Sequence, residues 1–204
     1  METAPPIDDP LGESGGDGET PLSPEDREAL IPKHITLRRE LNEVEGAGVS
    51  GAIVWARGRK WAVPTLLDPT FICGLHKRMF RDVWEWAGSY RVRDVSIVLT
   101  SHRGIPVELR KLRDDVEYWV HHETYPADEI AVRFHHRLVL IHPFPNGNGR
   151  LTRLMGDLLA AALGREPFTW GKSSVPEYRA RYIEALHAAD KSDIGPLLAL
   201  SRNP

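Results

Sequence analysis

The chain has 204 residues, with 26 lysines and arginines against 29 aspartates and glutamates and a formal net charge of -3 at pH 7. This balance gives no electrostatic reason to expect a nucleic-acid or membrane partner. The single cysteine, Cys73, excludes an internal disulfide framework and a zinc site built from cysteines. We expect a cytoplasmic protein, since no apolar run approaches the ~18 residues that a membrane span needs.

The first residues, METAPPIDDPLGESGGDGE, are acidic and rich in proline and glycine, so residues 1–19 are expected to form a disordered tail. Helical periodicity then predicts N-terminal helices over residues 24–62, with a break between two helices from Gly46 to Gly51. The stretch DPTFICGLHKRMFRDVWEWAG predicts a further helix with Asp68 as its N-cap and Gly88 at its end.

The segment YRVRDVSIVLTSHRGIPVEL is the only stretch with the β-branched residues typical of strands. Its turn residues predict a short hairpin or an extended flap. Helices are predicted again over VELRKLRDDVEYWVHHE, DEIAVRFHHRLVLI, LTRLMGDLLAAALG, PEYRARYIEALHAAD and DIGPLLALS. The predicted fold class is therefore mainly α with one small β element.

The motif HPFPNGNGR, residues 142–150, lies between two apolar helices, and its glycines stand just before the second helix begins. Backbone N–H groups at a helix start have no intrahelical partners, and they favour an anion such as phosphate. Arg150 and Arg153 share the first turn, where their guanidinium groups suit bidentate phosphate contacts. The predicted anion nest consists of Gly147, Asn148 and Gly149.

His142 ends the preceding helix, because Pro143 restricts its backbone away from the helical region. A histidine with a pKa of about 6.5 can accept a proton from a hydroxyl nucleophile near neutrality. Phe144 is predicted to anchor the loop between the two helices. Histidine, anchor and anion nest together predict a phosphoryl or nucleotidyl transfer site, and they leave open whether AMP or phosphate is transferred.

Other interpretations of these residues are weaker. A Gly-x-Gly before a helix is a common turn, and the lack of a Walker pattern excludes an ordinary P-loop. His135 and His136 are assigned to a helix face rather than to a metal cluster. Five further histidines have no spacing that favours chemistry: His76, His102, His121, His122 and His187.

The stretch HPFPNGNGRLTR resembles the Fic family signature, His-x-Phe-x-Asp/Glu-Gly-Asn-Gly-Arg-x-x-Arg, and seven of the eight specified positions match. The resemblance extends to LHKRMFRDVWEWAGSYR upstream and YIEALHAADKSD downstream, so it covers roughly residues 25–200. It implies a helical Fic-fold bundle with a short β-hairpin flap, as a single domain over residues 20–204 with a core over 70–200. More narrowly, the chain resembles the bacterial Fic branch called mobile mystery protein B.

The resemblance implies a protein adenylyltransferase that moves AMP from ATP, with Mg²⁺ or Mn²⁺, to a Ser, Thr or Tyr hydroxyl of a target protein. His142 would deprotonate that hydroxyl, and the nest would form the anion hole. Arg150 and Arg153 would hold the β- and γ-phosphates. The flap would pair with the backbone of the target; it consists of Val95, Ser96, Ile97, Val98 and Leu99.

One position departs from the family pattern. The acidic residue that binds the metal in the family is replaced by Asn146. A neutral amide oxygen can ligate a hard cation, but it lacks the charge attraction that helps to hold Mg²⁺. This change leaves open a weaker, altered or absent reaction.

A second feature concerns regulation. Many Fic proteins carry an inhibitory helix marked Ser/Thr-x-x-x-Glu-Gly/Asn, and LNEVEGAG fits this pattern at Glu45 and Gly46 but has leucine in place of the hydroxyl residue. TLRREL offers Thr36 and Glu40 but lacks the following Gly or Asn. We predict that Glu45 contacts Arg153 and restrains ATP binding. The alternative is an exposed glutamate at a helix end.

Two other functions compete with AMP transfer. Relatives of the Doc type transfer phosphate, but their motif replaces the Gly-Asn-Gly core that is intact here. A nucleotide-binding or protein-binding module that lost catalysis at Asn146 would bind ATP without turnover. The AMP-transferring enzyme itself is also predicted to belong to a toxin-like module, with a small regulatory protein as a partner.

Overall fold

The computed structural model describes residues 24–96, 98, 100–170 and 178–202. Within these ranges the chain forms nine α-helices and one short 3₁₀ turn, His102–Gly104. The helices are α1 (Pro24–Glu28), α2 (Arg38–Arg57), α3 (Val63–Leu67), α4 (Pro69–Phe80), α5 (Ile105–His121), α6 (Ala127–Ile141), α7 (Asn148–Ala162), α8 (Tyr178–Asp190) and α9 (Gly195–Arg202). The predicted mainly α fold is confirmed. The predicted tail, residues 1–19, lies outside the described residues.

Helices α6 and α7 form the centre of the molecule. Helix α7 packs on α6, α5 covers α6 from another side, and α9 also contacts α6. Both central helices are buried along much of their length because apolar residues recur at the helical period. On α7 the buried apolar residues are Leu151, Leu154, Met155, Leu158, Leu159 and Ala160. The motif loop between α6 and α7 is therefore held at both ends by elements of the core.

Helix α2 is continuous from Arg38 to Arg57, so the predicted break around Gly46 to Gly51 is wrong. The glycines serve packing rather than a turn. At Gly48 an added Cβ would collide with the backbone carbonyl of Met79 on α4, whereas Gly51 faces open space. Glycine at position 48 lets α2 approach α4 closely, and this approach brings the middle of α2 towards the motif loop.

Gly48→Ala is expected to lower the free energy of unfolding by about 1–3 kcal/mol, because the methyl group would force α2 and α4 apart. Gly51→Ala is the matched control on the same helix. It should raise the free energy of unfolding by about 0.5–1 kcal/mol through helix propensity alone. Urea unfolding of both variants measures the difference, and equal effects of the two substitutions would contradict close helix packing at Gly48.

Helix α4 begins as predicted and ends earlier than predicted. The Asp68 carboxylate accepts the Thr70 N–H at 2.7 Å, which caps the helix start. The helix ends at Phe80 rather than near Gly88, and the residues between them form turns. One antiparallel bridge joins Leu30 to Trp84 in this region. These turns bring the segment after Gly88 beside the motif loop.

The predicted β-hairpin over the flap is not observed among the described flap residues, which are Val95, Ser96 and Val98. Ile97 and Leu99 lie outside the described residues. Arg91 provides a physical reason, because its guanidinium donates hydrogen bonds to the backbone carbonyls of Arg93 and Thr100. Backbone groups bound in this way are not available to a strand ladder.

No helix in the described part of the chain is both long enough and apolar enough to cross a membrane.

Candidate functional site

The motif loop leaves α6 through a left-handed residue. His142 has φ 48° and ψ 61°, and its N–H donates to the carbonyl of Leu138 at 3.2 Å. A positive φ is uncommon for residues other than glycine, although histidine adopts it more readily than most. This conformation turns the chain away from the axis of α6, and it places His142 at the start of the loop.

Asn148 holds the loop together from inside. Its side-chain oxygen accepts the Phe144 N–H at 3.0 Å, and its side-chain nitrogen donates to the Phe144 carbonyl at 2.8 Å. Phe144 is fully buried, as its predicted role as an anchor requires. The Asn148 side chain is thus committed to the loop itself, so only its backbone N–H can face an anion.

His76 of α4 packs against the motif loop and forms a hydrogen bond with it. Its spacing in the sequence did not indicate this contact. Its Nδ1 accepts the Gly88 N–H at 3.0 Å, so its Nε2 carries the proton and donates to the Asn146 carbonyl at 3.0 Å. The ring stacks on Phe144 with centroids 3.8 Å apart. Burial lowers the pKa of His76 to about 3. A neutral ring is required here because Nδ1 must accept.

The amino end of α7 has the geometry of an anion nest. Gly147 is the N-cap with φ 78°, and a Cβ there would lie 2.5 Å from the Phe80 ring. No side chain caps this helix end, and the first helical hydrogen bond runs from the Leu151 N–H to the Gly147 carbonyl at 3.1 Å. The N–H groups of residues 148–150 therefore have no intrahelical acceptor and can bind an anion.

The Asn146 side chain is engaged within the motif loop itself. Its side-chain oxygen accepts the Gly147 N–H at 2.6 Å. Among the residues that the structure describes, no group of three or more His, Cys, Asp or Glu side chains could hold a metal ion. A neutral oxygen already engaged in a hydrogen bond does not fit a divalent cation held by the protein itself. The metal predicted at Asn146 stays a prediction.

Glu45 binds Arg150 rather than Arg153, so the predicted partner is wrong. The distance from Glu45 Oε2 to Arg150 Nη1 is 2.7 Å, and Glu45 Oε1 accepts the Trp84 indole N–H at 2.6 Å. Glu45 is 2% exposed, which also excludes an exposed glutamate at a helix end. The continuous α2 brings Glu45 within reach of the first motif arginine, and Trp84 fixes the other carboxylate oxygen. Sequence analysis assigned no role to Trp84.

Arg153 lies beside an aromatic side chain of α8. Its guanidinium carbon is 5.4 Å from the centre of the Tyr182 ring. The Tyr182 hydroxyl is also hydrogen-bonded to His135 at 3.0 Å. A Cβ at Gly149 would lie 3.5 Å from Arg153 Nη1, which places this cation next to the anion nest. Both motif arginines thus lie at the nest, and within the described part of the chain only Arg150 is paired with a carboxylate.

His142 is almost fully buried, and burial lowers its pKa to about 4. The charge of Arg91 lowers this pKa further, whereas a hydrogen bond with the Val139 backbone raises it. The imidazole is therefore neutral at pH 7, and it can accept a proton. A polyphosphate bound nearby would bring negative charge that raises the pKa of His142 towards neutrality.

Three buried histidines are expected to make stability depend on pH. Burial lowers the pKa to about 3 for His76 and His135 and to about 4 for His142. Unfolded histidines titrate at about 6.5, so between that pH and about 4 the unfolded state binds more protons. The stability that these neutral histidines allow should be fully present above pH 6.5. The free energy of unfolding should then fall as the pH falls through this window.

Urea unfolding at a series of pH values measures this dependence. Because burial is the main cause, the slope should persist at high salt, where exposed charges are screened. A free energy of unfolding that stays constant from pH 7 to 4.5 would contradict the buried neutral histidines.

The residue Arg91, which precedes the flap, lies beside the motif loop. Its Nε donates to the His142 carbonyl at 2.8 Å. The backbone N–H of Arg91 also donates to the Pro143 carbonyl at 2.9 Å. No signal in the sequence indicated a role for Arg91. It lies in the segment LHKRMFRDVWEWAGSYR, which also contains His76 and Trp84. Their contacts with the motif loop and Glu45 arise only in the folded chain.

Comparison with known proteins relates the central part of this chain to one family. Residues 66–160 match the model of the Fic/DOC family. The protein adenylyltransferase fic-1 of Caenorhabditis elegans is 36% identical over 93 residues, which are 44% of this chain and 17% of that protein. The match therefore spans about a sixth of the length of this curated relative.

Two solved structures show the same fold. Fic-1 from C. elegans superposes with a TM-score of 0.63 at 26% identity, covering 90% of this chain and 55% of that one. BepC from Bartonella tribocorum, an effector protein solved with bound AMPPNP, superposes with a TM-score of 0.65 at 19% identity. That alignment covers 87% of this chain and 96% of BepC.

Proposed function

This chain contains a Fic/DOC family domain at residues 66–160, and on that premise we propose that it is a protein adenylyltransferase restrained by Glu45. It would transfer AMP from ATP to a Ser, Thr or Tyr hydroxyl of a target protein. The observation that carries the proposal is one loop that joins a buried neutral histidine, His142, to an open helix start flanked by Arg150 and Arg153. The relatives named protein adenylyltransferases and the AMPPNP bound to BepC support the choice of ATP.

The proposed chemistry has a simple balance of bonds. The target hydroxyl oxygen attacks the α-phosphorus of ATP, a new P–O bond forms, and the bond to the oxygen that bridges to the β-phosphate breaks. Pyrophosphate leaves, and the hydroxyl proton passes to the ring of His142. The open N–H groups at the start of α7 stabilise the charge on the phosphate oxygens.

The two arginines would divide the polyphosphate between them. Arg153 is positioned beside the nest and has no carboxylate partner among the described residues, so it can receive phosphate directly. Arg150 must first leave Glu45. Inhibition would therefore act through competition between a carboxylate and a phosphate for one guanidinium group.

A divalent cation would arrive bound to ATP rather than reside in the protein, since Asn146 is a poor ligand. Asn146→Asp should make ATP binding stronger in the presence of Mg²⁺ and should leave binding without the metal unchanged or weaker. Calorimetric titration with and without Mg²⁺ measures this. The same variant tests the alternative of a non-catalytic nucleotide-binding module, which predicts no transfer in the natural chain and transfer after Asn146→Asp.

Transfer of label to lysate proteins and to the protein itself tests the proposed reaction. ATP labelled at the α-phosphate or at the γ-phosphate would be supplied in parallel incubations. Label from the α-phosphate alone supports AMP transfer. Label from the γ-phosphate would make the protein a phosphate-transferring relative of the Doc type. Binding of ATP without either label would favour the non-catalytic module.

We assign the chain more narrowly to the mobile mystery protein B branch because its sequence resembles that branch. A separate prediction is that the enzyme belongs to a toxin-like module and has a small regulatory partner. Copurification of a small protein with this chain from its native source would support that prediction.

A further inference from the structure

The Arg91 side chain binds three backbone carbonyls near the motif loop, yet the reaction proposed above does not use it. It is 4% exposed, so its positive charge lies almost entirely away from solvent. Its Nε donates to the His142 carbonyl at 2.8 Å, and its Nη1 donates to the Arg93 carbonyl at 2.8 Å. Its Nη2 donates to the Thr100 carbonyl. A buried guanidinium needs such acceptors to offset the loss of hydration.

The carbonyl of His142 lies at the end of α6, where a helix offers no backbone donor. Arg91 supplies that donor, and it thereby supports the left-handed conformation of His142. The same guanidinium holds a carbonyl from each end of the segment between Arg91 and Thr100. The Thr100 hydroxyl adds a second link, since it donates to the Leu140 carbonyl of α6 at 3.2 Å.

We propose that Arg91 is a positioning residue that holds Arg93, before the flap, and Thr100, after it, beside His142, so that a target hydroxyl aligned along the flap lies at the base that takes its proton. The proposal rests on the proposed AMP transfer for its chemistry and on the contacts of Arg91 for its geometry. Lysine cannot replace Arg91 in this role, because one ammonium lacks the planar fork that serves three carbonyls.

The Asp94 carboxylate lies in the same hydrogen-bond network and partly balances the positive charge of Arg91. Its carboxylate is 3.5 Å from Arg91 Nη1, and it also accepts the His102 N–H at 2.7 Å and contacts the His102 ring at 2.9 Å. His102 begins the 3₁₀ turn that leads into α5. The residues before the flap are thus joined to His142 at the end of α6 through Arg91 and to the 3₁₀ turn before α5 through Asp94.

Arg91→Lys tests the proposal, with Arg202→Lys as the matched control. Arg202 also donates to backbone carbonyls, those of Glu166 and Pro167, but it lies at α9, outside the motif loop. Hydrogen exchange should become faster in Arg91→Lys at the described flap amides and at residues 142–144, and ATP affinity should stay within about twofold. In Arg202→Lys the exchange at those amides should not change.

Transfer activity provides a second test. If Arg91 only stabilised the fold, its replacement would not reduce labelling more than it reduces ATP binding. With α-labelled ATP and lysate proteins as acceptors, Arg91→Lys should lower protein labelling by about 10²-fold, a cost typical of a misplaced reactive group. Its labelling relative to AMP released into water should fall as well. Unchanged exchange in Arg91→Lys, or equal losses of ATP binding and labelling, would overturn the proposal. If the natural chain transfers no AMP, the exchange and ATP-binding measurements still decide the role of Arg91.

Discussion

Replacement of His142 by alanine or asparagine is expected to lower the rate of AMP transfer by about 10²- to 10⁴-fold, the usual contribution of a general base. ATP affinity should change little, because the groups proposed to bind the phosphates are those of α7. Asparagine is the sharper substitution, since it tolerates the left-handed backbone at this position but has no basic ring. Loss of transfer in both variants would separate the role of the base from the conformation of the loop.

The control for His142 is an exposed histidine on α8, His187, whose replacement by alanine should leave transfer unchanged. The rate would be measured from the early time course of α-label incorporation, and ATP binding would be measured by calorimetry on the same preparations. Equal transfer by His142→Asn and the natural chain would show that this histidine is not the base.

Replacement of Glu45 by glutamine is expected to raise ATP affinity and to raise transfer. The amide keeps the shape of the side chain and can still accept the Trp84 N–H, but it removes the charge that holds Arg150. An increase in ATP affinity of about 5- to 150-fold would match the usual range of coupling free energies. The free energy of unfolding should fall at the same time by about 1–3 kcal/mol, because the Arg150 guanidinium loses its carboxylate partner.

The opposite signs of the two effects are what distinguish inhibition from a structural role. If Glu45 only stabilised the fold, Glu45→Gln would lower stability and ATP binding together. Glu43→Gln is the matched control, since Glu43 is exposed on the same helix. It should change neither quantity. Glu45→Gly adds a cost in helix propensity of about 1 kcal/mol, so glutamine is the better test of the charge.

Local sequence predicted the motif loop well because its signals are local. Two glycines before a helix, a histidine before a proline and two arginines one turn apart each constrain their own backbone. The structure places them in the loop between α6 and α7 and in the first turns of α7. Asn148 shows the limit of this reasoning, since its side chain binds Phe144 rather than facing the nest.

The contacts that support the loop could not be predicted, because they join residues far apart in the chain. His76 reaches Asn146, and Arg91 reaches His142, only after α4 and the turns behind it have packed against α6. The predicted pairing of Glu45 with Arg153 is wrong for a related reason. An unbroken α2 with Gly48 against Met79 determines which arginine the carboxylate meets, and glycine suggested a break instead.

The most direct test compares Glu45→Gly with the double variant Glu45→Gly, His142→Asn, using ATP labelled at the α-phosphate and lysate proteins as acceptors. The account predicts that Glu45→Gly labels protein faster than the natural chain, and that the double variant binds ATP as well as Glu45→Gly does but transfers almost no label. Equal labelling by the single and double variants would contradict the central claim that His142 acts at a site which Glu45 restrains.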